Sequence, residues 1–224
     1  MKKIFFFLLL FLSFSFQVLD SKNKETKNYL SCNNKVSQDY LNSIDDLGIK
    51  KIEIDVQNYR KWTVNSIKII TNGDRFVEDR YKKKFKSKVT VIYQNNSKCV
   101  FNAKVRHSGD AKDHIALLGN SIIQSLDIKL TNGNIRGITK FKLFKPDVRG
   151  VLDDVIIQTE LLRELGYLAP RSIKVNSRVN QAESVMLFQE KAAKELLEFN
   201  SRREGPILEG DQKFFFKLVK DIPQ

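Results

Sequence analysis

Lys129, Lys140 and Lys142 fall on two runs that alternate charged and apolar residues, SLDIKL at 125–130 and ITKFKLF at 138–144. Glu160 falls on a later run with helical spacing. Strand lysines facing a helical glutamate are side chains that phosphoryl transfer uses, because that reaction depends on positioning and charge neutralisation rather than on covalent chemistry. Lys142 is the lysine expected on phosphates, with Lys129 and Lys140 behind it; Glu160 is its expected partner and Glu164, one turn on, the alternate. Gln189, Glu190 and Lys191 join an apolar run to a helical one in SVMLFQEKAAKELLEFN, and are the strap expected beside a nucleotide base. Each residue also has a plainer reading, as a solvent-facing charge on an amphipathic element or part of an ordinary strand-to-helix connection.

Other constellations carry less chemistry. RHSGDAKDH holds His107, Asp110, Asp113 and His114, but their spacing matches no standard ligand set, and a polar turn after Ser108 and Gly109 explains the residues as well. No metal site is expected there. Glu204, Glu209 and Asp211 cluster in REGPILEGD, which reads either as a cleft lining or as a solvated connection. The chain contains no Walker A sequence, no G-x-S-x-G elbow and no C-x-x-C, so those enzyme classes lack support.

The elements that must position these residues follow from periodicity. KKIEIDV at 50–56 alternates as a half-exposed strand, and YRKWTVNSIKII at 59–70 has helical spacing that Asn72 and Gly73 stop. The basic stretch RYKKKFKSK leads into the strand VTVIY at 89–93, and CVFNAKVRH at 99–107 alternates in turn. Between the two lysine-bearing runs, Asn132 and Gly133 can supply a tight hairpin turn. In the second run Lys140 and Lys142 share one face, and Phe141 and Leu143 the other. DDVIIQTELLRELGY reads as a helix capped by Asp153 or Asp154, with Val155, Ile156, Leu162 and Leu165 on a wide apolar face and Gly166 at its end. RSIKVN and SVMLFQ are the strands after it.

Composition sets the frame. The 224 residues are 42% hydrophobic and 10% aromatic, enough for a packed core, and the net charge of +13 is spread from end to end. Such a balance favours anionic partners without choosing among nucleotide phosphates, acidic envelope polymers and nucleic acid. The basic stretch at 80–88 gives nucleic acid little support, because no stacking aromatics interleave with it in a recognisable module. At the N-terminus a basic pair, Lys2 and Lys3, precedes an apolar run from Ile4 to Phe16, and Ser13 and Ser15 suit cleavage after Ser15. This is the pattern of a secretory signal peptide, with no stable membrane span expected after its removal. Cys32 and Cys99 both follow it; a bridge between them would tie a polar arm to a core strand and contribute about 4 kcal/mol.

Read in order, the elements match the small lobe of a protein kinase: strand, glycine-containing loop, hairpin, helix, two strands and a sharp junction. KVRHSGD, SLDIKL, LLRELGYLAPRSIKVN and ESVMLFQEKAAKELL together resemble the CotH family of atypical secreted kinases, over roughly residues 99–211. The chain departs from the family in having Ile123 and Gln124 where paired lysines often precede the serine. The family's catalytic and metal-binding carboxylates lie in a second lobe, beyond the matched region.

The resemblance implies an α+β, kinase-like small lobe, mainly an antiparallel sheet with a packed helix, whose second lobe is missing. The domain layout expected is a signal peptide over 1–19, a polar arm over 20–47, an α/β extension over 48–98 and the CotH-like lobe over 99–224. It also implies a secreted or extracytoplasmic protein that binds a nucleotide, with ATP as cofactor and Mg only if the catalytic lobe is supplied. A secreted or envelope protein is the implied phosphate acceptor. The competing expectation is a non-catalytic basic protein that holds an anionic polymer or a partner protein.

Overall fold

The computed structural model describes residues 47–148, 150 and 152–208. The expected signal peptide, Cys32, Glu209 and Asp211 lie outside them. Nine strands are described: β1 (Ile49–Val56), β2 (Phe85–Tyr93), β3 (Lys98–His107), β4 (Ile115–Leu118), β5 (Ser121–Gln124), β6 (Leu126–Leu130), β7 (Lys140–Phe144), β8 (Ser172–Val179) and β9 (Ala182–Glu190). The α-helices are α1 (Tyr59–Thr71), α2 (Leu152–Glu164) and α3 (Lys194–Phe199).

Alternation builds the main sheet. Along β3, Cys99, Phe101, Ala103 and Val105 turn inward while Lys98, Val100, Asn102 and Lys104 are exposed, as a period of two requires when one face is buried. Ile52, Ile54, Val89, Val91, Ile128, Phe141, Leu143, Met186 and Phe188 join them in one core, where the Phe141 and Phe188 rings stack with centroids 4.7 Å apart. Seven strands carry this core in the order β1-β2-β3-β6-β7-β9-β8, and the sheet closes on itself. Every pairing in it is antiparallel except the last, where β1 runs parallel to β8 from Lys51 opposite Asn176 to Ile54 opposite Val179. Asn180, in the left-handed region at φ 53, secures this seam: its N–H donates to Ile54 O at 2.8 Å and its Oδ1 accepts from Val56 N at 2.8 Å.

The closed, mixed, seven-stranded barrel overturns the expected kinase-like small lobe, an antiparallel sheet with a packed helix. The reason is β1. Residues 48–98, expected as an extension, supply β1 and β2, and β1 pairs with β8 as well as β2, so no open edge remains. Strand side chains fill the interior, which leaves α2 on the outside. That helix packs chiefly on β8 and buries only Thr159, while Ile157, Leu161 and Leu165 stay exposed. Its end does follow expectation: Gly166, at φ 79, donates to Arg163 O at 2.9 Å and Tyr167 N donates to Leu162 O at 2.9 Å.

Two local expectations are refined. The β6–β7 connection is longer than a two-residue hairpin: of the Asn132–Gly133 pair only Gly133 is left-handed (φ 67), and Arg136 and Gly137 are left-handed further on, while Asn132 accepts a hydrogen bond from Asn102 N at 2.6 Å. At Gly109, φ is +109 and an added Cβ would lie 2.1 Å from His114 Cγ, so the turn after β3 requires glycine. Beneath that turn His107 is 2% exposed. Its Nδ1 lies 3.1 Å from Gln124 Oε1, and Gln124 Nε2 donates to Ser66 Oγ at 2.9 Å, tying β3 and β5 to α1. Because the amide oxygen only accepts, Nδ1 carries the proton, and no described group reaches the buried Nε2. Burial holds this imidazole down at about 4.

Candidate functional site: a lysine ladder on the barrel wall

The barrel register lines up four lysines on its outer wall. Lys86 on β2 is directly opposite Lys104 on β3, Lys104 is opposite Lys129 on β6, and Lys129 is opposite Lys140 on β7. Their inward neighbours Ser87, Ala103, Val105, Ile128 and Phe141 are buried, so alternation sends all four lysines outward. At a strand spacing of about 4.8 Å, the row spans about 14 Å. Like charges directly opposite each other on one sheet face destabilise it. Lys84, Lys86, Lys104 and Lys129 form ion pairs with none of the described carboxylates.

A second row lies one step along the strands: Arg106, Asp127, Lys142, Gln189 and Ser172. Here charge is matched. Arg106 donates to Asp127 Oδ2 through Nε at 3.0 Å and Nη2 at 2.7 Å, and Lys191 Nζ lies 3.6 Å from the same oxygen. Lys142 Nζ sits 5.8 Å over the Phe144 ring, and Gln189 Nε2 donates to Ser172 Oγ at 3.2 Å.

The upper part of these rows forms one wall of a groove of about 800 Å³. Among the described residues, seven basic side chains line it, namely Lys84, Lys104, Arg106, Lys129, Lys140, Lys191 and Lys194, against a single acid, Asp127. Its apolar lining among the described residues is Leu130, Ala192, Ala193 and Ile207, none of them aromatic. At one end Lys194 reaches Glu198 at 3.1 Å and Glu204 at 3.0 Å, and the hydrogen bond it donates to Glu204 raises its pKa. Glu195 accepts from Thr139 Oγ1 while its Oε2 is buried without a hydrogen-bond partner among the described residues. Burial opposes its ionisation, yet the Thr139 hydroxyl, its own backbone N–H, Lys140 and Lys194 outweigh this and hold the carboxyl below its usual range.

The structure brings Lys129, Lys140 and Lys191 together in the groove and sets Lys142 and Gln189 in the next row of the same wall. Glu160 is elsewhere. It pairs with Arg163 on its own helix at 2.9 Å and makes no ion pair with Lys142, and Glu164 is exposed. The expected lysine–glutamate clamp is therefore not formed, because closing the barrel with β1 places α2 outside.

Glu190 turns inward, away from its neighbours Gln189 and Lys191. Its carboxylate takes Arg171 Nε at 2.8 Å and Nη2 at 3.0 Å, both side chains being almost wholly buried. Arg171 also donates to Arg136 O at 2.9 Å and lies 4.0 Å over the Phe199 ring. It is thus a fastener of the junction rather than part of the groove.

Lys84, Lys86, Lys104, Arg106, Asp127 and Glu195 are functional candidates that sequence reasoning missed. The usable signal was the alternation in FKSK and NAKVR, which marks the lysines as sharing one strand face. Comparison of the sequence with protein-family models and with curated proteins returns no match.

Proposed function

We propose that this protein binds a phosphate-bearing anion in the groove of the lysine ladder. The observation that carries this reading is the direct opposition of Lys86, Lys104, Lys129 and Lys140 across four adjacent strands. An unliganded wall pays for that opposition in repulsion, and a multivalent anion removes the cost. The leader pattern and the disulfide-bonded state of Cys99 support a site of action in an oxidising, extracytoplasmic compartment.

A nucleotide is the narrower reading. It is supported by the groove volume of about 800 Å³, within the range of single small-ligand sites, and by the CotH resemblance. In that reading Lys104, Lys129 and Lys140 hold the phosphates, and Mg would accompany them. Phosphate transfer to a protein would need carboxylates other than Asp127, which Arg106 and Lys191 already occupy.

Thermal unfolding with tripolyphosphate, Mg-ATP and adenosine tests both readings. Tripolyphosphate and Mg-ATP at about 100 times their dissociation constants should each stabilise the wild type by about 2.7 kcal/mol, with adenosine inert. The stabilisation should vanish in a Lys104→Glu, Lys129→Glu double variant. Absence of any shift with both phosphate ligands would overturn the proposal. A clear preference for Mg-ATP over tripolyphosphate would favour the nucleotide.

A further inference from the structure

A second basic groove adjoins the first. It has a volume of about 760 Å³ and runs along the outer side of α1, lined by Arg60, Lys61, Lys68, Arg80 and Lys83 with no acidic residue among its described lining. Helical spacing explains the cluster: Arg60, Val64 and Lys68 are successive fourth residues, and Lys61 is seven before Lys68, so these side chains share the solvent face of the helix. Trp62 and Ile69, on the opposite face, are buried. Arg80 is paired with Glu78 at 2.7 Å, whereas Arg60, Lys61, Lys68 and Lys83 form ion pairs with none of the described carboxylates.

The wall between the two grooves is the short segment entering β2. Lys84 lines the first groove, and its neighbours Lys83 and Phe85 line the second. Lys86 continues the same strand into the ladder. Basic side chains therefore line both sides of this short segment, from the solvent face of α1 on one side to the barrel wall as far as β7 on the other.

We infer that the ligand is an extended, flexible polymer of phosphate charges that lies along both grooves. This rests on the anion-binding reading of the ladder. A compact ligand such as one nucleotide would fill the first groove and leave the second uncompensated. A linear chain neutralises both, releasing counterions from each. Among the described residues the ladder groove carries no aromatic side chain, and the two rings of the second groove are already engaged, Tyr81 under Arg80 at 5.0 Å and Phe85 edge-on to Trp62 at 5.2 Å, so charge reads the chain and a base-free phosphate polymer fits better than single-stranded nucleic acid.

The test is a chain-length series of inorganic polyphosphate, from tripolyphosphate to chains of some tens of phosphates, titrated against the full chain at several salt concentrations. Affinity should rise at least tenfold from tripolyphosphate to the long chain, with a steeper salt dependence. An Arg60→Glu, Lys61→Glu, Lys68→Glu variant, altered only at the helix surface, should lose that gain and keep wild-type affinity for tripolyphosphate. Three results would overturn the inference: equal affinity across the series, a variant that holds the long chain as well as wild type, or tighter binding of an oligonucleotide of matched charge. In each of those the ladder reading survives if tripolyphosphate binds; failure of tripolyphosphate and Mg-ATP together would remove the ladder reading itself.

Discussion

Two ionic regions meet at the end of β9 and treat charge in opposite ways. Inside, Glu190 and Arg171 are matched group for group and almost fully buried, with the remaining Arg171 donor on a backbone carbonyl. Outside, one residue further on, Lys191 joins a groove whose described lining sets seven cations against one carboxylate. The inner pair satisfies itself and fixes how the chain leaves the barrel. In the outer set Lys194 pairs with Glu198 and Glu204, and Arg106 and Lys191 share Asp127, while Lys84, Lys104 and Lys129 form ion pairs with none of the described carboxylates; their repulsion is tolerable because water and salt screen it. Charge spent on structure is paired and hidden; charge kept for a ligand is left opposed and exposed.

The sharpest way to break this comparison is to unpair the inner region. Glu190→Gln leaves a buried guanidinium without its counter-ion and should destabilise the fold by about 3–5 kcal/mol in denaturant unfolding. A loss below about 1 kcal/mol would mean that the pair is not the fastener described here.

A smaller effect comes from acid. The folded His107 titrates at about 4, below its ordinary value of about 6.5 in an unfolded chain, so the unfolded state binds the extra proton first. The contribution of neutral His107 is complete above about pH 6.5 and is lost as pH falls toward 4. Stability should drop by about 2 kcal/mol between pH 7 and pH 5, and a His107→Gln variant should lose this pH dependence even if it is less stable throughout. Superimposable pH profiles for the two proteins would place the titration elsewhere.

The smallest effect has the opposite sign. Lys129→Gln removes one of the two lysines with a like charge on both sides and should stabilise the ligand-free barrel by about 0.2–1 kcal/mol while weakening anion binding. A destabilised variant would show that the ladder contributes to the fold, erasing the contrast between the two regions.

Much of the barrel was legible in local pattern. The alternation that placed Lys140 and Lys142 opposite Phe141 and Leu143 is realised, the helix over 59–70 is α1, and Gly166 ends α2. Even the inward turn of Glu190 had a signal, since it shares strand parity with the buried Met186 and Phe188. What periodicity does not carry is partnership. It gives a face to Lys86, Lys104, Lys129 and Lys140 separately, but only the register across three strand pairs sets them opposite one another. The parallel seam between β1 and β8 is of the same kind, and without it the order of elements suggested an open lobe. The exposed apolar side of α2 misled for a related reason: a helical apolar stripe reports that burial is available, not which surface provides it.

The seam that closes the barrel also orders events in time. Val56 and Asn180 are 124 positions apart, so the first strand cannot gain its second neighbour until nearly the whole described chain has been made. Until then β1 presents a free edge, and the loop-closure entropy for joining it must be overcome late. A polypeptide wired this way is slow to complete its native state, and any machinery that handles it before completion meets an extended, unlocked chain.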